Sequence, residues 1–414
     1  MKVLLVNQFF WPDTAATAQL LTDVVRAIDS NTHTITVLCG NSAYATTVHG
    51  TPPSVKIVHC GGMAFSRGKL GRVVSYASFL VSAAIRGLRE SRPDLVVTLT
   101  TPPLISLLGT VLKTFRGSRH YIWEMDVYPD IAVDLKVLKR KSLVTKIIAA
   151  LADFSRNRAD GIIALGEDMK ARLVKRGVPE EKISIAENWS DGAEIVSAPF
   201  ADGPLVVHYS GTLGLAHELD TIAEAMRQLR GNDRIHFVFI GGGARRPQLQ
   251  EFCKQQNISN VEFRPYSSRG DLGRSSAEGH IGLVTQLPET VGSVVPSKTY
   301  GIMAAGRPML YVGPENATPA LVLQRHACGW RIEPRDVAGM VGLLEALEQD
   351  RSMVYEAGER GRHAFEMHYD RPIGTGRVLS ILGLAEVANQ ITRPDETCAG
   401  RLKQRAGTVL SKSQ

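Results

Sequence analysis

The sequence has little cysteine, little tryptophan and no long apolar run. Its five cysteines, Cys39, Cys60, Cys253, Cys328 and Cys398, are scattered and odd in number. They form no CxxC pair and no Cys/His cluster, which argues against a disulfide frame and against structural zinc. A reducing, cytoplasmic setting is therefore expected. The longest uncharged apolar stretch, Val73 to Ile85, falls short of the roughly 20 residues a membrane-spanning helix needs. The opening MKVLLVNQFF is broken at Asn7 and Gln8, too early for a signal peptide. No G-x-G-x-x-G follows the first apolar run, so a nicotinamide or flavin dinucleotide is disfavoured. No helix-turn-helix, zinc-finger or aromatic RNA-binding pattern occurs, so nucleic acid is not expected as a partner.

What is present fits a two-domain globular protein. A chain of 414 residues exceeds one ordinary domain. The net charge of +7 suits an anionic partner, either a nucleotide or an acidic membrane. Short β-branched runs recur at Lys2–Val6, Thr34–Leu38, Val55–His59, Asp94–Leu99, Tyr121–Met125, Gly161–Ala164 and Ile183–Ala186. Most are continuous rather than alternating, as parallel strands buried on both faces are. Helical stretches such as Thr17–Ile28, Leu70–Glu90 and Lys141–Arg158 lie between them. Ser190 to Pro204 is polar and reads as a linker.

A second series follows, with strands at Leu205–Tyr209, His236–Ile240, Val261–Arg264, Ile281–Val284, Met309–Val312 and Trp330–Ile332. Its helices include Leu219–Leu229, Pro247–Gln256, Ser297–Ala305 and Asp336–Gln349, and a long helical segment from Ser352 to Ile391 closes the chain. Strand–helix alternation of this kind implies doubly wound parallel sheets. The expected division is residues 1–192, residues 200–368, a final helix over about 370–392 that returns to the first domain, and a polar tail over 393–414.

Ligands of doubly wound sheets bind beyond the carboxyl ends of the strands, so residues there are the candidates. After the first strand, Thr14, Ala15, Ala16 and Thr17 enter a helix whose free N–H groups favour a phosphate; an ordinary connecting loop is the alternative. Gly211, Thr212, Gly214 and His217 open the second half, where the glycines allow a ligand close to backbone. Gly242 and Gly243 follow the next strand. Tyr266 could stack on a base or simply face water. Val295, Pro296, Ser297, Lys298 and Thr299 read as a helix start, with Ser297 as cap or first-turn residue. Lys298 adds a cation to that helix end, a combination suited to a diphosphate. In the first half, Glu124 and Asp126 share side-chain parity at a strand end. One of them is a candidate general base; a cap or salt bridge is the alternative.

At these residues the chain resembles the family 4 glycosyltransferases of the GT-B fold, in particular the bacterial exopolysaccharide and O-antigen branch. The marks are Asp126-Val127-Tyr128-Pro129-Asp130, Ile183 through Glu187-Asn188-Trp189-Ser190-Asp191, Tyr209-Ser210-Gly211-Thr212-Leu213-Gly214, and Pro296-Ser297-Lys298 through Gly306-Arg307-Pro308. The resemblance implies two Rossmann-like domains facing across a cleft. It implies a nucleoside-diphosphate sugar, UDP-linked, as co-substrate in the second domain, and a lipid-linked or saccharide acceptor in the first. Transfer would retain anomeric configuration and use no obligatory metal.

The chain departs from the pattern in three places. Where relatives carry two glutamates eight positions apart, it has Ser293 and Gly301. A glycine pair of the first loop is Ala15 and Ala16. The usual phosphate-binding arginine and lysine are replaced by Thr212 and by Ala216 or His217. Lys298 gains weight as a surviving cation. A sugar-nucleotide epimerase and a non-catalytic nucleotide-sugar-binding protein are the alternative functions.

Arg67, Lys69, Arg72, Arg86, Arg89 and Arg92 flank one largely apolar helix, and Lys136, Lys139, Arg140, Lys141 and Lys146 precede or begin another. Apolar and basic groups side by side suit an anionic membrane surface. A protein peripheral to the inner face of the cytoplasmic membrane is expected. The alternative is that both helices bury their apolar faces and leave only charges in water.

Overall fold

The computed structural model describes residues 1–40, 51–61, 69–265 and 279–385. Within them, thirteen strands form two sheets. β1 (Lys2–Val6), β2 (Thr34–Gly40), β3 (Lys56–Cys60), β4 (Leu95–Thr98), β5 (Arg119–Trp123), β6 (Gly161–Ala164) and β7 (Ile183–Ile185) make the first, in the order β3-β2-β1-β4-β5-β6-β7. β8 (Leu205–Ser210), β9 (Ile235–Ile240), β10 (Val261–Arg264), β11 (Ile281–Thr285), β12 (Met309–Val312) and β13 (Gly329–Ile332) make the second, in the order β10-β9-β8-β11-β12-β13. Every pairing is parallel. Both sheets reverse direction beside their first strand, between β1 and β4 and between β8 and β11. A doubly wound sheet opens its ligand crevice at such a reversal. Each expected strand is present, its ends moved by no more than two residues.

Side chains alternate across the first sheet. Val3, Leu5, Val37 and Val97 pack with Leu20, Leu21 and Val24 of the helix Ala16–Ala27. Leu4, Val6, Leu38 and Val96 pack with Phe79 and Ala83 of the helix Lys69–Arg89 and Leu108 and Leu112 of the helix Ser106–Arg116. Opposite crossover directions from β1 and from β4, both right-handed, put those helices on opposite faces. The helix Leu143–Arg158 lies beside Ser106–Arg116, where Thr110 Oγ1 and Ser155 Oγ bond at 2.9 Å.

The closing segment differs from one continuous helix. It breaks at Tyr369-Asp370 into Ser352–His368 and Arg371–Leu382. Asp370 accepts from Arg371 N at 2.8 Å, which starts the second helix, and from Gly192 N at 2.9 Å, which ties it to the linker. Val378, Leu379 and Leu382 then join the core that holds Leu20, Leu21 and Val24. Each such side chain contributes at most about 1.5–3 kcal/mol of burial. The helix Arg371–Leu382 thus belongs physically to the first domain. No described helix is long and apolar enough to cross a membrane.

Candidate active site

The second domain contributes two glycine turns and a lysine. Gly211 follows β8 with φ +131°, and Gly241 and Gly243 follow β9 with φ +120° and +123°. Gly211 N donates to Ile240 O at 2.8 Å and Leu213 N to Gly242 O at 2.7 Å, so the turns lie against each other. A Cβ at position 243 would stand 2.3 Å from Leu213 O, so that turn needs glycine for space as well as for its left-handed backbone.

Lys298 crosses the same place. Its Nζ sits 4.9 Å from the centre of the Tyr209 ring, and its Cε would be 2.5 Å from a Cβ at position 211. The side chain is half-buried and makes no ion pair among the described residues. Burial lowers its pKa to about 8. An ammonium partly stripped of water, with no carboxylate beside it, is a site short of an anion.

Three expectations change here. The helix that Lys298 begins spans only seven residues, Lys298–Ala304, and Ser297, at its N-cap, makes no capping bond with its side chain. The charge at this end therefore rests on Lys298 more than on a dipole. Thr299 Oγ1 turns back to Pro296 O at 3.3 Å, and Val295 is buried in the core of the first domain. Both support the turn from within. His217 does not turn its ring nitrogens outward: Nε2 lies 2.8 Å from Tyr209 Oη and Nδ1 lies 3.0 Å from Gly214 O. Burial, and then the charge of Lys298, lowers its pKa to about 4. Tyr266 lies outside the described residues.

At the positions where relatives carry glutamates, Ser293 is fully buried and donates to Thr290 O at 3.0 Å. A Cβ at Gly301 would meet Ser190 Oγ at 3.8 Å and Ile195 Cδ1 at 3.9 Å. That point of the helix faces the connecting segment.

In the first domain the two acidic candidates separate. Glu124 and Arg156 form a buried ion pair, their side chains only 2% and 4% exposed. Arg156 also donates to Tyr128 O at 2.9 Å. A carboxylate so tied is poorly placed to take a proton, and its reading as a salt bridge prevails over that of a base. Asp126 lies three residues beyond the end of β5, half-buried. No side-chain donor is found for its carboxylate among the described residues. Burial first and the charge of Glu124 second raise its pKa to about 6. Both acids line one small cavity with Thr100, Ser106, Tyr128 and Arg156. In the first loop, Asp13 Oδ1 accepts from Ala15 N at 2.7 Å, and the helix begins at Ala16 with no side-chain cap. Thr14, Ala15, Ala16 and Thr17 stand beyond the carboxyl end of β1, at the reversal point of the sheet.

The two halves meet on a seam that the sequence did not reveal. Asp126 forms an antiparallel bridge with Val294, and Val127 N donates to Ser293 O at 2.9 Å. Asp168 accepts from Thr318 Oγ1 at 2.6 Å and from Thr318 N at 3.1 Å. Glu187 pairs with Arg325 at 3.0 Å and Arg377 at 3.1 Å, and Asp191 pairs with Arg371 at 2.5 Å. Trp189 stacks on Trp123 and donates to Asp23 Oδ2 at 3.0 Å. The Glu187–Asp191 run therefore joins the halves to each other. Arg156, Asp168 and Val294 were not found from sequence because each acts through a partner distant along the chain.

Two six- or seven-stranded parallel sheets meeting over these loops define a GT-B enzyme. Residues 16–189 match the family described as Glycosyl transferase 4-like domain, and residues 192–364 match Glycosyl transferases group 1. The chain belongs to the family 4 glycosyltransferases. It is 25% identical over 314 residues to WbjE of Pseudomonas aeruginosa, named as a glycosyltransferase, covering 72% of this chain and 78% of that protein. It is 24% identical over 254 residues to WcaI of Escherichia coli K12, named for glycosyl transfer in colanic acid biosynthesis, covering 57% and 62% respectively. In fold it is similar to sucrose-phosphate synthase from Thermosynechococcus elongatus, with TM-score 0.70 and 13% identity over 99% of this chain and 100% of that one. It is also similar to Anabaena HepE, solved with UDP and glucose, with TM-score 0.68 and 14% identity over 92% and 99%.

Proposed function

We propose that this enzyme transfers a sugar from a UDP-sugar to an acceptor hydroxyl, with retention of configuration and without a metal ion, in the building of a surface polysaccharide. One observation supports the reading: Asp126 of the first domain bridges to Val294, which lies four residues before Lys298 in the chain. Lys298 would hold the donor diphosphate, and the turns at Gly211–Gly214 and Gly241–Gly243 would admit it close to backbone. Asp126 would orient the acceptor hydroxyl or accept its proton. The naming of WcaI supports the pathway, that of WbjE supports glycosyl transfer, and the HepE complex supports UDP.

The acceptor is lipid-linked in this reading and is met at an anionic membrane. Thirteen of the twenty exposed large hydrophobics among the described residues lie on the Lys69–Arg89, Ser106–Arg116 and Leu143–Arg158 layer or the turn before it, Phe115 and Leu143 foremost. Arg86, Arg89, Arg92, Lys136, Lys139, Arg140, Lys141 and Lys146 are exposed beside them. The nearby acids Glu90 and Asp160 are paired with Lys56 and Lys113. Arg67 lies outside the described residues. A cytoplasmic protein resting on the inner membrane face accords with this surface.

The test is a thermal-shift screen of nucleoside-diphosphate sugars, followed by NMR of the product made from the stabilising donor and a polyprenyl-diphosphate saccharide. An α-linked donor should give an α-linked product. Inversion at the anomeric carbon, or epimerisation of donor without acceptor, would replace the proposal.

A further inference from the structure

Three groups of the donor loop are one proton short of satisfying one another. His217 Nδ1 lies 3.0 Å from Gly214 O, a carbonyl that only accepts, so this nitrogen carries a proton. His217 Nε2 lies 2.8 Å from Tyr209 Oη, and the same Oη donates to Thr212 O at 2.7 Å. A phenol has one proton. With a neutral imidazole, that proton serves either Nε2 or Thr212 O, and the other contact sets lone pair against lone pair. One further proton, on Nε2, completes the chain. Nδ1–H then donates to Gly214 O, Nε2–H to Oη, and Oη–H to Thr212 O.

Local charge keeps that proton away. Burial disfavours the imidazolium, and the ammonium of Lys298 and the guanidinium of Arg245 add to it. Among the described residues, the groups that face the ring from other elements are Lys298 from the Lys298–Ala304 helix, Tyr209 from β8, and Arg245, which donates to His217 O at 2.8 Å. The acids adjacent in sequence are engaged elsewhere. Glu218 accepts from Thr221 N at 3.1 Å, and Asp220 meets Arg245 at 3.4 Å. An anion placed on Lys298 reverses the balance, because an opposite charge favours the ionised ring.

We propose that a nucleoside diphosphate binds this loop together with a proton, taken from solvent onto His217 Nε2, and that the completed Gly214–His217–Tyr209–Thr212 chain fixes the loop in its binding form. The inference rests on the assignment of the diphosphate to Lys298. His217 is a positioning residue, since it acts on the loop and through Tyr209. Donor affinity then falls as pH rises from the free ring's pKa of about 4 toward its higher pKa in the complex, by up to about tenfold per pH unit, and levels off above that.

Calorimetric titration of the full chain with UDP, and with GDP and inorganic diphosphate alongside, in two buffers of different ionisation enthalpy at pH 7, tests this. At that pH Lys298, with its pKa near 8, is already charged and takes up little. The wild-type protein should take up more protons per UDP than Tyr209→Phe or His217→Gln. The diphosphate's own titration is common to all three proteins and cancels. The ¹⁵N shifts of the His217 ring should move from the neutral to the charged pattern as UDP is added. Equal proton counts in the three proteins, with a ring that stays neutral, overturn the inference and leave the donor assignment standing. Binding of none of the three probes to folded wild-type protein overturns both. Tyr209→Phe retains the ring that packs on Phe239 at 6.2 Å, so it keeps the comparison available if His217→Gln does not fold.

Discussion

Asp126→Asn should make the protein more stable and less active. The carboxylate is half-buried, has no side-chain donor among the described residues, and shares its cavity with the charge of Glu124. Its pKa rises from 3.8 to about 6. A raised pKa means that folding disfavours the ionised form. The penalty is absent below the unfolded value near 4, grows as pH climbs, and is complete above about 6. A rise of this size corresponds to about 3 kcal/mol. Solvent at the partly open carboxylate and local relaxation reduce this to about 1–2 kcal/mol. For a domain of this size, 1 kcal/mol moves Tm by about 2–4 °C. Asp126→Asn should therefore melt about 2–8 °C higher than wild type at pH 7.5, with the difference shrinking toward zero near pH 4. Turnover should fall by about 10²–10⁴-fold, the worth of a positioned general base, with donor binding nearly intact. Differential scanning calorimetry across pH, with kcat and donor affinity measured on the same preparations, decides it. A variant that melts lower than wild type at pH 7.5, or that turns over normally, would refute the reasoning.

Glu124→Gln should do the opposite, because it strands the buried charge of Arg156. Loss of one partner of a buried pair costs about 3–5 kcal/mol, and the remaining bonds from Arg156 to Tyr128 O and Asp153 trim that toward about 2–4; urea unfolding should show the loss, and an unchanged midpoint would return Glu124 to the list of candidate bases. Lys298→Ala should weaken UDP-sugar binding about 10–100-fold, the worth of a charge-assisted contact, while leaving the ligand-free Tm unchanged or raised; undiminished donor affinity in a direct binding titration would remove Lys298 from the site. Neutralising Lys136, Lys139, Arg140 and Lys141 should cut binding to anionic vesicles steeply, at about 1 kcal/mol per charge, and salt should do the same to wild type; equal co-sedimentation with neutral vesicles would end the case for an anionic surface.

The strands were legible because each is a β-branched run buried on both faces. The local signal and the tertiary demand agree in segments such as Leu95–Thr98 and Ile281–Thr285, every residue of which is buried. The break at Tyr369-Asp370 had a local signal that the reading of one long helix passed over: Asp370 caps a new helix with Pro372 in its first turn. The further bond from Gly192 was not legible. The same limit applies to the site. Gly211, Gly243 and Lys298 could be placed because a turn after a strand and a lysine at a helix start are local facts. Which acid is free could not. Glu124 and Asp126 have the same parity and similar neighbours in the chain, and Arg156, thirty residues away, separates their roles. For Ser297 the sequence left cap and first-turn residue open. Its backbone is already helical, with φ −73° and ψ −16°, and its side chain makes no capping bond, which favours the second.

The seam also bears on how binding and chemistry are linked. Asp126 has its position partly from Val294, and Val294 is held within the turn that begins at Pro288 by the bond from its N to Thr290 O at 3.3 Å. The same turn leads without interruption into Pro296-Ser297-Lys298. If Lys298 holds the donor anion as proposed, a shift of Lys298 toward it would pull on the strand that carries the bridge to Asp126. Separation of the domains breaks both the bridge and the Asp168–Thr318 bonds. On the proposed roles, donor contact and acceptor geometry would both depend on this one arrangement. Asp168→Ala offers a way to part them, because Asp168 touches neither candidate substrate group but holds the halves together through Thr318. Removing a buried carboxylate that accepts two hydrogen bonds across the seam costs about 1–3 kcal/mol of the closed form. If closure is what aligns Asp126, kcat should fall by about 5–100-fold while binding of UDP to the second domain changes little. A variant with weakened UDP binding and unchanged kcat would show that the seam serves the donor site alone.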